Sequence, residues 1–321
     1  MEYRRLPIGG VRNIRDLGGY PTQGGGVTAF RRFIRSEAPR ALKDSDINFL
    51  KAYGVTMTID FRGDGEIERL PNSLAEVAGI KYCRCVTFDK QVAFSSEGVN
   101  AGEGGTAPEG GAAPESSVVS ESGATSEGGA ASESDKATEG GATSEAGKAT
   151  EGGTAPVDGT EPADGKPPEK PTVDAFVDWG EKYVEIVTNS SHWVRDTLRL
   201  MAASDGAVLF NCATGKDRTG IIAALLLGIA GVAEYDIVAD YCVSELYLRE
   251  LYEELLANFL ERWPDQKADI NSPFFKTAPA NMETLLKHIN ETYGSIEGYV
   301  KSCGIEEKEI AALRERLIDA G

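Results

Sequence analysis

The sequence lacks what a nucleic-acid binder, a membrane-spanning protein, a disulfide-stapled domain or a metal enzyme would need. Its 321 residues carry 33 Lys+Arg against 51 Asp+Glu, a formal net charge of −18, whereas a phosphate backbone selects basic faces. No stretch reaches the ~18 apolar residues of a spanning helix, and MEYRRLPIGGVRNIRDLGG has no apolar run of the secretory kind. A soluble, cytoplasmic protein is expected, with export lacking a recognisable signal as the other route. The five cysteines, Cys83, Cys85, Cys212, Cys242 and Cys303, are odd in number and widely spread, so they read as reduced thiols. The two histidines, His192 and His288, lie on separate helical stretches without ligand-like partners. Neither a metal nor another cofactor is expected.

Large apolar residues are nearly absent from Glu97 to Lys170, where Gly, Ala, Ser, Thr, Glu and Pro dominate. Glutamate recurs at every sixth position from Glu97 to Glu151, in units such as EGGTAP and EGGATS. A hexapeptide solenoid needs an aliphatic at the fixed position of each turn; here that position is acidic, so the tract reads as disordered. It holds 15 acids and 4 lysines, hence −11 of the −18, and leaves the other 247 residues at −7. Residues 1–96 and 171–321 then suit one split domain, with 97–170 as its insert.

Around the insert, the patterns predict extended chain over 27–36, a helix capped by Asp44 or Ser45 and stopped at Gly54, and strands over 55–61 and 80–88. Beyond it, Thr172 can cap a helix, SHWVRDTLRLMAA (191–203) continues as helix, and AVLFNC (207–212) reads as a short buried strand. The run 219–232 is apolar all round yet too short for a membrane, as a central buried helix would be. The remainder is helical, with Gly294 and Gly304 as stops. The fold class expected is α/β, with a central, mostly parallel sheet flanked by helices and a helical C-terminal part.

Between the strand 207–212 and the buried helix lies Asn211-Cys212-Ala213-Thr214-Gly215-Lys216-Asp217-Arg218-Thr219-Gly220. A Cys six residues before an Arg proves little alone, but a glycine-containing loop that opens a helix and holds a thiol, a Lys and an Arg suits a phosphate. Amides of such a loop point inward, the helix N-terminus adds positive charge, and Arg218 offers a bidentate fork. Ala213, Thr214, Gly215, Lys216, Asp217 and Arg218 would bind the phosphate, and the same field favours a thiolate at Cys212. Nucleotide binding of the Walker kind fails, because Lys216 is followed by Asp.

This loop resembles the Cys-x5-Arg signature of the cysteine-dependent protein-tyrosine phosphatases. GKDRTG, NIRDLGGY and IDFRGDGEIERLP, with DYCVSELYL and YGSIEGYVKSCGI, are similar to a bacterial branch acting on phosphotyrosine and in some members on phosphoserine, phosphothreonine or phosphoinositides. The resemblance covers nearly everything except the insert. It implies a tyrosine-phosphatase-like fold and a two-step reaction in which Cys212 forms a cysteinyl-phosphate that water then hydrolyses. Arg218 would hold the equatorial oxygens and Thr219 would help the thiolate leave. Lys216, a second cation, is shared with lipid-directed relatives, so the expected partners are a phosphorylated protein or a phosphoinositide. One departure is Asn211, where the superfamily has His. It keeps a phosphate-binding pseudophosphatase or adaptor open as the alternative, and a sulfur- or arsenate-transferring enzyme stands as a third reading.

The general acid is expected first at Asp60, which ends a strand and matches the branch's Asp-x-Arg, and second at Asp217 within the loop. Asp60 could instead pair with Arg62, and Asp217 could brace the loop. Trp263-Pro264-Asp265 copies an acid-loop tripeptide but follows the nucleophile, and reads as a helix end. Arg4, Arg5, Arg12 and Arg15 could orient an anionic substrate but read as solvated, Asp16–Gly19 as a turn, Cys83 and Cys85 as buried small hydrophobes, and Tyr241, Tyr247 and Tyr252 as core or lid packing. The tract's charge predicts slower encounter with anionic substrates at low salt; a tolerated loop expansion, cheap in closure entropy, predicts no effect. Deleting residues 97–170 and comparing turnover at two ionic strengths decides between them: repulsion requires a weaker salt dependence after deletion.

Overall fold

The computed structural model describes residues 4–87, 178–262 and 269–318. In chain order these form β1 (Arg15–Asp16), β2 (Phe33–Ser36), α1 (Asp44–Tyr53), β3 (Val55–Asp60), α2 (Asp64–Arg69), β4 (Lys81–Arg84), α3 (Trp179–Asn189), α4 (Ser191–Ala202), β5 (Ala207–Asn211), α5 (Arg218–Ile229), α6 (Glu234–Arg262), α7 (Pro279–Tyr293), α8 (Ile296–Ser302) and α9 (Glu307–Leu317). The repeat tract, Thr172 and the Trp263-Pro264-Asp265 tripeptide lie outside the described residues.

The sheet order is β1-β2-β5-β3-β4. The four strands β2, β5, β3 and β4 are mutually parallel and β1 pairs antiparallel at one edge. Thus β5, encoded after the tract, lies between two strands encoded before it. Side chains alternate along β5: Val208 and Phe210 enter one core with Phe33, Ile59, Trp193 and α5, while Ala207 and Leu209 enter another with Ile34, Leu50, Val55 and Ile80. Both faces of the sheet are therefore covered, and the central strand β5, AVLFN, accordingly reads as a nearly continuous apolar run. Every residue of α5 except Gly228 is buried, as expected for a helix apolar all round, and it packs against α6, α8 and α9 as well as the sheet. At Gly228 the Ile296 side chain of α8 fills the space a Cβ would take, so α8 packs closely on α5 there.

The mixed, mostly parallel sheet and the helical C-terminal part agree with the expectation, and several boundaries shift. The strand predicted over 27–36 shortens to Phe33–Ser36 because Arg31 turns the chain into a left-handed conformation, φ 61°. Helix α1 begins at Asp44, with Lys43 as cap; Asp44 and Asp46 occupy the first turn, where the helix dipole favours them. Gly54 ends it at φ 103°. The short α2 was not legible as a helix, since only six residues of DGEIER form it, closed by a bond from the Gly63 amide to Glu66 Oε2. Strands β2, β3, β4 and β5 all end at one edge, where Ser36 and Asp60 align with Asn211 and Arg84 aligns with Asp60. Ligands collect at that carboxyl edge in open parallel sheets.

Candidate functional site

The loop from Cys212 to Asp217 leaves β5 at the carboxyl edge and opens α5. Its polarity is fixed from outside. Asn211 Nδ2 donates to the Cys212 carbonyl (3.3 Å), the Ala38 amide to Ala213 O (3.1 Å), Asn13 Nδ2 to Thr214 O (2.9 Å), Arg35 Nη2 to Gly215 O (2.7 Å) and to Lys216 O (3.5 Å), and the Ile221 amide to Asp217 O (2.9 Å). Six successive carbonyls thus bond away from the bowl, leaving the amides to line it, as a nest for an anion requires. Gly215 is obligatory on two counts: φ is 69°, and a Cβ would come within 2.5 Å of the Ser36 carbonyl and the Glu37 nitrogen.

Cys212 and Arg218 are both buried, 2% and 3% exposed. Arg218 is the first residue of α5, and its guanidinium forks onto Glu66 (2.9 and 2.7 Å) while also bonding Phe61 O (3.0 Å). Burial opposes the Arg218 charge, but Glu66 and Cys212 outweigh it and push its pKa up. Burial likewise would raise Glu66, yet the Arg218 fork holds that carboxyl below its usual range. Glu66 was not legible in the sequence because it lies on the unrecognised α2; a carboxylate that meets an arginine 152 residues away has no local signature.

Behind the loop, Asp240 of α6 sits between two buried arginines. Arg15 Nε reaches Asp240 Oδ1 at 2.8 Å, Arg35 Nη1 bonds Oδ2, and Tyr20 donates to Oδ1 at 2.9 Å. Arg15 also holds Asn13 Oδ1, so one carboxylate anchors both donors that turn out Thr214 O and Gly215 O. Two guanidinium groups sharing one carboxylate place excess positive charge under the cradle. This overturns the solvated reading of Arg15, which is 2% exposed. Arg4 and Arg5 are exposed, over the rings of Tyr20 and Tyr247 at 4.0 and 4.5 Å. Arg12 bonds Glu254 at 2.8 Å. Asp16 organises the expected turn through the amides of Gly18 and Arg31.

Asp60 is fully buried and meets the pairing with Arg62. Its oxygens accept from Arg62 Nε (2.9 Å) and Nη2 (2.7 Å), Asn72 Nδ2 (2.9 Å) and Tyr82 OH (3.3 Å). Burial would raise this carboxyl, but Arg62 and Asn72 hold it below the usual range. An ionised, donor-saturated carboxylate has no proton to give, so the geometry disfavours Asp60 as acid. Asp217 differs: its side chain is 13% exposed, one oxygen accepts from Tyr183 OH, and Lys216 Nζ lies 3.7 Å away. Tyr183 continues to Tyr241 (2.8 Å), which accepts from Asn281 (3.2 Å).

Thr219 Oγ1 is buried without a hydrogen-bond partner among the described residues. Lys216, 2% exposed, gives its ammonium to Phe274 O (2.6 Å) beside the Trp179 ring at 4.9 Å; the second cation is thus engaged by the start of α3 and by a 3-10 turn, Pro273–Phe275. Tyr252 is buried against Thr214, while Tyr241 belongs to the Asp217 chain rather than to packing alone. Cys85 is buried and Cys83 half-buried. Among the described residues no group of His, Cys, Asp and Glu could hold a metal, and no helix is long and apolar enough to cross a membrane.

A mostly parallel sheet that delivers a Cys-x5-Arg loop to its carboxyl edge, with the loop's carbonyls turned out, defines an α/β protein built around that loop. A sequence model described as the tyrosine phosphatase family matches residues 6–319, and the chain belongs to that family. It is 36% identical over 158 residues to a tyrosine-protein phosphatase of Nostoc commune, covering 44% of this chain and 50% of that one. To the triple specificity protein phosphatase PtpB of Mycobacterium tuberculosis it is 28% identical over 127 residues, covering 37% and 46%. The chain therefore spans about half the length of these curated relatives.

Proposed function

We propose that residues 1–96 and 171–321 form one phosphatase domain that hydrolyses phosphate monoesters, phosphotyrosine foremost and phosphoserine, phosphothreonine or phosphoinositides besides. The observation carrying this reading is the set of six outward-bonded carbonyls around Cys212, since an amide-lined bowl over a buried thiol and guanidinium suits a tetrahedral dianion. The Cys212 thiolate attacks phosphorus, forming the S–P bond as the P–O bond to the leaving group breaks. Asp217 gives that oxygen its proton. Water then attacks phosphorus and loses a proton to Asp217, while the S–P bond breaks and the thiolate leaves, assisted by the unpartnered Thr219 hydroxyl. Arg218, oriented by Glu66, grips the equatorial oxygens throughout. The five free thiols suit a reducing compartment such as the cytoplasm.

The leaving group tests the acid. Phenolate of tyrosine, whose conjugate acid has a pKa of about 10, needs protonation far more than p-nitrophenolate does. Asp217→Asn is expected to lower turnover of a phosphotyrosyl peptide by about 10²-fold while sparing p-nitrophenyl phosphate; equal losses on both would remove Asp217 from this role. An adaptor with weak turnover is the second reading, favoured by the uncharged Asn211, and predicts that wild type hydrolyses both compounds only poorly.

A further inference from the structure

The first of the six outward carbonyls belongs to Cys212 itself, and its donor is held by a relay from another part of the chain. Asn72 lies between α2 and β4 and is buried, 5% exposed. Its amide orientation follows from its neighbours: the Leu74 amide donates to Oδ1 (2.9 Å), so Nδ2 faces Asp60 Oδ2 (2.9 Å) and Asn211 Oδ1 (3.3 Å). With its oxygen so engaged, Asn211 presents Nδ2 to the Cys212 carbonyl at 3.3 Å. At the far end Asp60 is held by the Arg62 backbone amide (3.1 Å) and guanidinium, and by Tyr82. The main chain reinforces the alignment, because the Phe61 amide donates to Asn211 O at 2.8 Å.

We infer that Asn72 is a positioning residue for the nucleophile: it carries the fixed position of Asp60 through Asn211 to the peptide bearing the Cys212 sulfur. If that peptide turned, its carbonyl would present negative charge to both the thiolate and the phosphate, and the sulfur would leave the line of attack. The relay gives Asp60 a purpose other than proton donation, and gives Asn211 one that requires no charge. Asn72 Nδ2 donates both to the Asp60 carboxylate and to Asn211 Oδ1, and Asn211 Nδ2 in turn donates to the Cys212 carbonyl, so the two amides pass the alignment on without a charge of their own. None of these side chains is placed to touch substrate, so binding should outlast their loss.

The inference rests on the phosphatase reading, and the experiment separates the two. Asn72→Leu, which keeps comparable volume but no amide, Asn211→Leu and the double variant are made in the full chain. Each is measured for kcat and KM with p-nitrophenyl phosphate, for thermal melting, and for the alkylation rate of Cys212 by iodoacetamide at one pH, followed by mass spectrometry of the Cys212 peptide. Asn72→Leu is expected to lower kcat and the alkylation rate about tenfold with KM within about twofold, as a small misplacement of a reacting group does. The double variant is expected to be no worse than Asn211→Leu, because both break one chain. Unchanged kcat and alkylation in Asn72→Leu, or losses that multiply in the double variant, would overturn the relay. Should Asn72→Leu not fold, Asn72→Ser carries the same expectations. Wild type inert toward p-nitrophenyl phosphate removes the phosphatase reading alone, since alkylation still decides the relay.

Discussion

Cys212→Ser is expected to lower turnover of p-nitrophenyl phosphate by at least about 10³-fold while leaving phosphate bound. Loss of a covalent nucleophile typically removes this much or more. A serine hydroxyl is smaller than a thiol and ionises at far higher pH, so the field of the loop cannot deliver an oxyanion there near neutrality. The cradle should survive the change, because its shape comes from donors to its carbonyls and not from the sulfur. Steady-state kinetics with calorimetric titration of inorganic phosphate measures both halves. Turnover within tenfold of wild type would mean that hydrolysis does not pass through Cys212, and the mechanism proposed would be lost.

The second large effect is expected at a residue remote from the sulfur in sequence. Asp240→Asn leaves Arg15 and Arg35 buried with no counter-charge, and breaking a buried pair by removing one partner costs about 3–5 kcal/mol. For a folded part of this size that lowers the melting temperature by roughly 10 °C or more. Activity should fall further than stability alone explains, because Asp240 anchors the donors to Thr214 O and Gly215 O. Burial would raise the Asp240 carboxyl, but Arg15 and Arg35 hold it far below its ordinary value. Its stabilisation is therefore present above the unfolded carboxylate range and is lost only as pH falls through the much lower folded value. The deficit of Asp240→Asn should consequently be the same at pH 5 and pH 8. Calorimetry at both pH values checks this; an unchanged melting temperature would show that the two arginines find other partners.

Much of this architecture was legible because it rests on local chemistry. The apolar run at 219–232 could only be a helix buried on all sides, and β-branched residues bounded by Gly54 marked β3. The chemistry-bearing loop announced itself through Gly215 and its place between strand and helix. What could not be read were residues whose role depends on register across the sheet. Asp60 looked like an acid because it ends a strand, and although pairing with the nearby Arg62 was legible, its further donors were not: Asn72 lies beyond α2, and Tyr82 reaches it only through the pairing of β3 with β4. Arg15 looked solvated because charge near a terminus usually is, and only the meeting of β1, β2 and α6 pairs it with Asp240. Glu66 was hidden for the same reason, since nothing near it in the chain announces its arginine.

The donors that shape this loop come from the N-terminal segment, from β2 and the chain just past it, from the end of β5 and from α5 itself, while their supports lie on α6 and between α2 and β4. The signature decapeptide accordingly has no shape of its own. Excised, it would keep every group that the proposed chemistry requires and none of the geometry, its carbonyls free to turn inward. Competence at this site is in that sense distributed, a report that remote parts of the chain have arrived at their proper places.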